Sequence, residues 1–249
     1  MPLKRQTYFH SRSIPVENGK EKGAIILYYN FGMEYFTGAF APIASCMHTT
    51  LIMTFAAFIS AFILSVLLAM VAMTKNRVVQ ILFKAWLSLF RGTPLLCQLF
   101  LFCFGIFPLI PGIRDTPLIF QGSVCLALAY SAYMCETIRG AIQSVDKGQM
   151  EACLSCGLTK GQGYRRVVLP QAFRLSIPAL MNNFIDCFKA TALCSTVGVT
   201  DMMLRSKMLA NKSYHFLEVY LAVIILYWAL NMLFVLIQKV IEHKLDAKY

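Results

Sequence analysis

The 249 residues carry a formal charge of +11, yet 58% are hydrophobic and only 14% charged, with a mean hydropathy of +0.62. That composition excludes an ordinary soluble domain and describes an integral membrane protein. The basic residues fall in short segments between long uncharged runs, with no basic stripe interleaved with aromatics, so membrane topology accounts for them better than nucleic acid does.

The first thirty residues carry Lys4, Arg5, Arg12, Lys20 and Lys22 against Glu17 and Glu21, without the apolar core of a signal peptide, so no cleavage is expected. Residues 24–29 are too short to span a bilayer, and Glu34, Gly38 and Pro42 interrupt residues 31–44. Residues 1–45 read as an extracytoplasmic tail plus a short surface helix. From Thr49 to Thr74 there is no charge, and the run is long enough for a first span, which needs about 20 residues. A basic connector, residues 75–91, follows with Lys75, Arg77, Lys84 and Arg91. The second span is 92–113, with Pro94 expected in its first helical turn, where a missing N–H costs little. Arg114 and Asp115 mark a short loop before the third span, 117–135. Glu136 and Arg139 lie at i, i+3, a spacing that allows them to pair at its end.

Residues 145–170 are the one long polar segment between apolar halves. Asp146-x-x-Gln149 and Thr159-x-x-Gln162 each have the capping-box form, Gly157 suits the left-handed residue that ends a helix, and Pro170 limits the second helix. The pattern predicts helix, tight turn, helix. Met150, Cys153 and Leu154 on one helix and Tyr164, Val167 and Val168 on the other form apolar faces, leaving Glu151, Lys160, Arg165 and Arg166 exposed. The fourth span, 175–200, holds Asn182, Asn183, Asp186 and Lys189. Residues 201–218 read as a polar loop, 219–238 as the fifth span, and 239–249 as a tail, of which 246–249 lie beyond the membrane domain 46–245. Lys and Arg number thirteen in the 75–91, 136–174 and tail segments but four in the 111–117 and 198–218 loops, which puts the first set in the cytoplasm. Five spans then leave the N-terminus outside and the C-terminus inside. A sixth helix over 24–48 would move the tail inside, but Glu34 and Pro42 break it.

Polar residues inside a span are expensive in lipid and mark a protein-lined or water-filled path. Asn183, Asp186 and Ala190 fall at i, i+3 and i+7, and Asn182, Asp186 and Lys189 at i, i+4 and i+7, so one face carries most of the polarity. On one reading this face lines the route of a polar solute. On another, Asp186 and Lys189 neutralise each other and serve only packing. The nine cysteines lie mostly in apolar runs, and Cys153-x-x-Cys156 has no second Cys or His pair, so neither disulfides nor a metal site is expected. Gly157 to Gly163 lacks the order of a phosphate-binding P-loop, and HExxH and GxSxG are missing, so an enzyme is not indicated.

Glu151-Ala152-Cys153, three residues, Gly157, nine residues, then Val167-Val168-Leu169-Pro170 resembles the EAA-x3-G-x9-I-x-L-P signature of the membrane subunits of bacterial ABC importers, with Cys153 in place of the last Ala and Val167 of Ile. RGTPLLCQLFLF (91–102), ETIRGAIQSVDKGQMEA (136–152), RRVVLPQAFRLSIPAL (165–180) and FLEVYLAVIILYW (216–228) are similar to its polar amino-acid branch, over residues 46–245. The resemblance implies an all-α type I permease fold of about five spans in the bacterial cytoplasmic (inner) membrane. It also implies that residues 145–170 dock on a separate cytoplasmic ATPase dimer through Glu151, Ala152, Cys153, Gly157, Lys160, Arg165 and Arg166. ATP and Mg would be bound by that partner, with no cofactor in this chain. A second permease subunit, identical or homologous, and an extracytoplasmic solute-binding protein are the other implied partners.

Relatives often read N-E-F where this chain has Asn182-Asn183-Phe184, and K-D-T or K-S-T at Lys189-Ala190-Thr191. Missing acids at Asn183 and Ala190 lean toward a neutral, zwitterionic or acidic amino acid, and the chain end leans toward cystine-type permeases. The competing reading is an ion-coupled secondary carrier in which Asp186 titrates; it lacks visible inverted repeats.

Overall fold

The computed structural model describes residues 9–12, 26–72, 74 and 76–246; residues 1–8 and 13–25, Met73, Lys75 and residues 247–249 lie outside them, and with them most of the expected uncleaved extracytoplasmic tail. Two short antiparallel strands, β1 (Phe9–Arg12) and β2 (Ile26–Tyr29), pair with Phe9 opposite Tyr29. The described chain is otherwise helical. Helix α1 (Met33–Ala44) is 12 residues long, too short to span, and the chain breaks at Ser45 and Cys46 before α2 (Met47–Ala72), so residues 24–48 do not form one helix.

Helix α5 (Leu118–Ser144) is the central element: most of it is buried inside the chain, whereas α2 and the long C-terminal helix α10 (Phe216–Asp246) turn most of their surface outward. Helices α2 and α5 pack side by side, with Met53 and Ala57 against Cys125 and Leu126, and Ala61 against Ala127 and Met134. Small residues at these contacts let the backbones approach closely. At Gly122 an added Cβ would stand 3.3 Å from the Cys194 sulfur.

Among the described residues, α2, α5 and α10 (over Phe216–Lys244) are long and apolar enough to cross a membrane, and the pair Arg77–Gly92 and Leu95–Leu109, bent by 109°, counts as a fourth span if taken as one. The basic connector is thus mostly a helix, α3 (Arg77–Gly92), capped by Asn76 and anchored through buried Phe83 and Phe90. Helix α4 (Leu95–Phe100) follows and continues as a π-helical turn to Ile106 and a 3-10 turn to Leu109. Pro94 sits just before its first turn rather than in it. Gln98 holds this elbow: its Nε2 donates to the Phe90 and Thr93 carbonyls, both at 3.1 Å, and to Thr93 Oγ1 at 2.9 Å.

Helix α8 (Leu169–Ala190) runs on as a 3-10 turn to Val197 and ends at Gly198, whose φ is +94°. Its polar residues keep it outside the apolar set. Residues 201–218, expected as a loop, hold α9 (Met202–Ser213), capped by Asp201, whose Oδ1 accepts the Leu204 N–H at 2.8 Å. Charged residues, Arg77, Lys84 and Arg91 in α3 and Arg205, Lys207 and Lys212 in α9, disguised both helices.

Helix α1 is fastened to α9 and α10 by a buried polar cluster. Glu218 is fully buried; its Oε1 accepts the Gly32 N–H at 2.8 Å and lies 3.2 Å from His215 Nδ1, while Tyr35 stacks on the His215 ring at 3.7 Å. Removing one partner of such a cluster leaves the others desolvated and unpaired. Glu218→Leu is expected to destabilise the protein by about 3 kcal/mol or more, and Glu218→Gln by less, as thermal unfolding midpoints in detergent would show. Equal midpoints for Glu218→Leu and the parent would contradict the assignment.

Candidate functional site

The polar segment folds as two short helices, and its sequence explains most of it. Helix α6 (Lys147–Ser155) starts at Asp146, whose carboxylate accepts the Gly148 N–H. Gln149, expected to reach back and complete a capping box, instead accepts from Gln171 Nε2 at 3.1 Å and ties α6 to α8. The helix ends in a Schellman turn: Leu158 N–H donates to the Cys153 carbonyl and Gly157 N–H to that of Leu154, both at 3.0 Å, with Gly157 at φ +79°. Helix α7 (Lys160–Gly163) opens with a full capping box, Gln162 N–H to Thr159 Oγ1 at 3.3 Å and Thr159 N–H to Gln162 Oε1 at 2.8 Å.

Pro170 does not end the second helix. A π-helical turn, Tyr164–Val168, joins α7 directly to α8, with Pro170 in the first turn of α8. The wider π turn displaces the carbonyls that a proline ring would strike in a regular α-helix, and the first turn needs no N–H from Pro170. The helix pair is held by Gly163, where an added Cβ would stand 2.9 Å from Met150 Sδ and 3.2 Å from Cys153 Cβ, and by Val145, Val168 and Ala172 with Met150 and Ile142. Glu151, Ala152, Lys160, Arg165 and Arg166 are exposed and Cys153 is buried. Leu154 and Tyr164, expected on the packed faces, are 42% and 38% exposed and leave apolar groups on the outer surface.

Farther from the polar segment, helices α5 and α8 line a cavity of about 550 Å³. Its walls include Tyr130 and Tyr133 of α5, Phe90, Thr93 and Leu95 of the elbow, and Asn183, Asp186, Lys189 and Ala190 of α8. Lys189 Nζ lies 2.7 Å from Asp186 Oδ1, with the two side chains 56% and 58% exposed. Asn183 Nδ2 donates to Thr137 Oγ1 of α5 at 2.9 Å. The i, i+3, i+7 set Asn183, Asp186 and Ala190 therefore shares the cavity, as the spacing predicted. Asn182 does not belong to it: it points to α10, where its Oδ1 accepts from Gln238 Nε2 at 3.3 Å. Thr191 is also outside, fully buried, its hydroxyl donating to the Phe188 carbonyl. The tyrosines, Thr93 and Leu95 were missed because each reads as part of an apolar span, and Phe90 because it lies in the basic connector; only the hydroxyls and the Thr-Pro break set them apart.

Beside the cavity, Glu136 pairs with Arg139 as predicted, in a bidentate contact at 2.8 and 2.9 Å, and also meets Arg91 at 3.4 Å. Arg91 lies over the Tyr133 ring, 5.8 Å from its centroid. This cross-link joins the α3–α4 elbow to α5. Among the described residues no group of three or more His, Cys, Asp and Glu side chains could hold a metal ion, and the described cysteines are unpaired.

A family model described as binding-protein-dependent transport system inner membrane component matches residues 61–247. The probable amino-acid permease protein YxeN of Bacillus subtilis (strain 168) is 40% identical over 216 residues, 87% of this chain and 96% of that protein. The L-cystine transport system permease protein TcyB of the same organism is 38% identical over 211 residues, 84% and 88% of the two chains. A solved structure titled "Crystal structure of an amino acid ABC transporter with histidines" superposes with a TM-score of 0.80 at 28% identity, covering 86% of this chain and 99% of that one. Such relatives are permease subunits rather than enzymes, and ATP hydrolysis belongs to a separate ATPase. With three quarters of its length matched by the family model, a type I permease fold and the signature turn at Gly157 in place, this chain belongs to the binding-protein-dependent transport system inner membrane components, the membrane subunits of ABC importers.

Proposed function

We propose that this chain is the transmembrane subunit of an ATP-driven importer that moves a polar amino acid, neutral, zwitterionic or acidic, across the inner membrane by alternating access. The observation that carries the reading is continuity. Helices α5 and α8 each reach from the polar segment, at Val145 and Val168, to the cavity, at Tyr133 and Asn183. On α8 that is a rise of about 22 Å along one rod. A displacement at one end is delivered to the other as rigid-body motion.

On this reading residues 145–170 form the joint with the cytoplasmic ATPase dimer, which binds ATP and Mg. Exposed Leu154 and Tyr164 offer apolar contact, and Glu151, Lys160, Arg165 and Arg166 set its charge pattern. Residues 46–245 make the permease domain, with the N-terminus outside and the C-terminus inside, as the distribution of Lys and Arg requires. A second permease subunit and an extracytoplasmic solute-binding protein complete the assembly. The amino-acid relatives, TcyB among them, support the substrate class, and the walls of Asn183, Asp186, Lys189, Tyr130 and Tyr133 offer the donors and acceptors a zwitterion needs.

Gly157 has open space around it, so a substitution there acts through its positive φ and the docking surface rather than through packing. Gly157→Asp is expected to cost about 1 kcal/mol of local backbone strain, leave the protein in the membrane, and abolish most uptake of radiolabelled amino acid in cells carrying the complete importer. Parental uptake by that variant would overturn the coupling role. Asn183→Leu removes the link to Thr137 and one polar wall of the cavity; uptake is expected to fall at least tenfold while co-purification with the ATPase subunit stays near parental. Unchanged uptake by Asn183→Leu would remove this cavity from the path.

A further inference from the structure

Helix α3 does not continue into the span that follows it. Leu95 and Phe102 pack with Ala129 and Ala132 of α5, whereas Leu99, Cys103 and Phe107 pack with Cys125 and Leu126. The segment Leu95–Leu109 thus runs alongside α5, a helix long and apolar enough to cross a membrane. Arg77–Gly92 is bent from that segment by 109°, close to a right angle. Where Leu95–Leu109 crosses, α3 lies along the membrane surface, and its 16 residues reach about 24 Å across it. Its far end is fixed at the right level: Arg91 meets Glu136, where the uncharged run 117–135 ends.

The faces of α3 are divided as such a position requires. Phe83 and Phe90 are buried against the protein. Turned away from them, Val78, Ile81, Leu82 and Leu89 fall within an arc of about 100° and are 52–66% exposed. Arg77, Lys84 and Arg91, spaced i, i+7 and i+14, share one edge of that stripe, and the helix has no acidic residue. Arg91 is drawn to Glu136, but Arg77 and Lys84 are exposed and enter no ion pair among the described residues. Long cationic side chains beside an apolar stripe can lay their stems along it and extend their charge to a polar boundary. The count of Lys and Arg puts this connector on the cytoplasmic side, where anionic phospholipids attract basic segments.

We infer that α3 is a membrane-surface helix whose stripe Val78, Ile81, Leu82 and Leu89 enters the cytoplasmic leaflet while Arg77 and Lys84 bind the phosphates of anionic phospholipids. Phe90, near the end of the same helix, is a wall of the cavity, so the lipid contact also restrains that wall. The inference uses the orientation given above and does not depend on which solute is carried.

For the test, the full-length protein is reconstituted with its ATPase subunit in phosphatidylcholine vesicles, with Leu82→Trp as a reporter on the exposed stripe. Fluorescence of the parent complex is subtracted, which removes Trp86, Trp228 and the ATPase subunit from the signal. Lipids brominated next to the headgroup are expected to quench the added tryptophan more strongly than lipids brominated at the chain ends. Stronger quenching from the chain ends would make α3 part of a span. No quenching would mean that a protein, the ATPase subunit or a second permease, covers the stripe, and either result overturns the inference. Headgroup charge is tested with brominated phosphatidylglycerol against brominated phosphatidylcholine at equal mole fraction, where a preference of about fivefold or more for phosphatidylglycerol is expected. Arg77→Gln/Lys84→Gln should bring that preference near one without changing the depth. Salt of about 0.5 M should do the same with both cations in place. Equal binding of the two lipids at low salt overturns the role of Arg77 and Lys84, as does a preference that survives their double substitution.

Discussion

The arrangement depends on the chain staying helical through Pro170. Had the proline ended the second short helix, the polar segment would be joined to α8 by a non-helical link. The π-helical turn at Tyr164–Val168 removes that break, so α7 and α8 form one bent rod. Gly163 makes the other half of the joint, because only a hydrogen there lets α6 seat Met150 and Cys153 against the start of that rod. Helices α5 and α8 are then clamped at two levels, by Val145, Val168 and Ala172 near the polar segment and by the Asn183–Thr137 hydrogen bond near the cavity.

Two ion-bearing clusters on the same chain are placed to opposite effect. Glu218 is withdrawn from solvent and holds the Gly32 backbone beside His215, so it fixes where α1 lies. Asp186 and Lys189 are more than half exposed, and pairs of that kind are screened and add little to stability, about 0–1 kcal/mol. The buried carboxylate serves position here, whereas the exposed pair fixes little.

Much of this was legible in the sequence where local chemistry decides. The caps at Asp146 and Thr159, the left-handed Gly157 and the Glu136–Arg139 pair all follow from residues within a few positions of one another. Readings failed where a distant partner competes: Gln149 is drawn away from its cap by Gln171, Asn182 by Gln238, and Pro170 is accommodated by a turn type that short-range rules do not anticipate. The tyrosine walls were hidden for a different reason. An aromatic residue with one hydroxyl scores as apolar, and only its placement on α5 reveals it as a cavity wall.

Helix α8 lies outside the set of helices apolar enough to cross a membrane on composition alone, because of Gln171, Arg174 and Asn182 as well as Asn183, Asp186 and Lys189, the three that face the cavity. In lipid such groups cost several kcal/mol each, unless they face protein or water. Their cost is therefore met by the cavity itself, which keeps Asp186 and Lys189 solvated and gives Asn183 a partner in Thr137. For this helix to reside in a membrane, those three side chains must face protein or water.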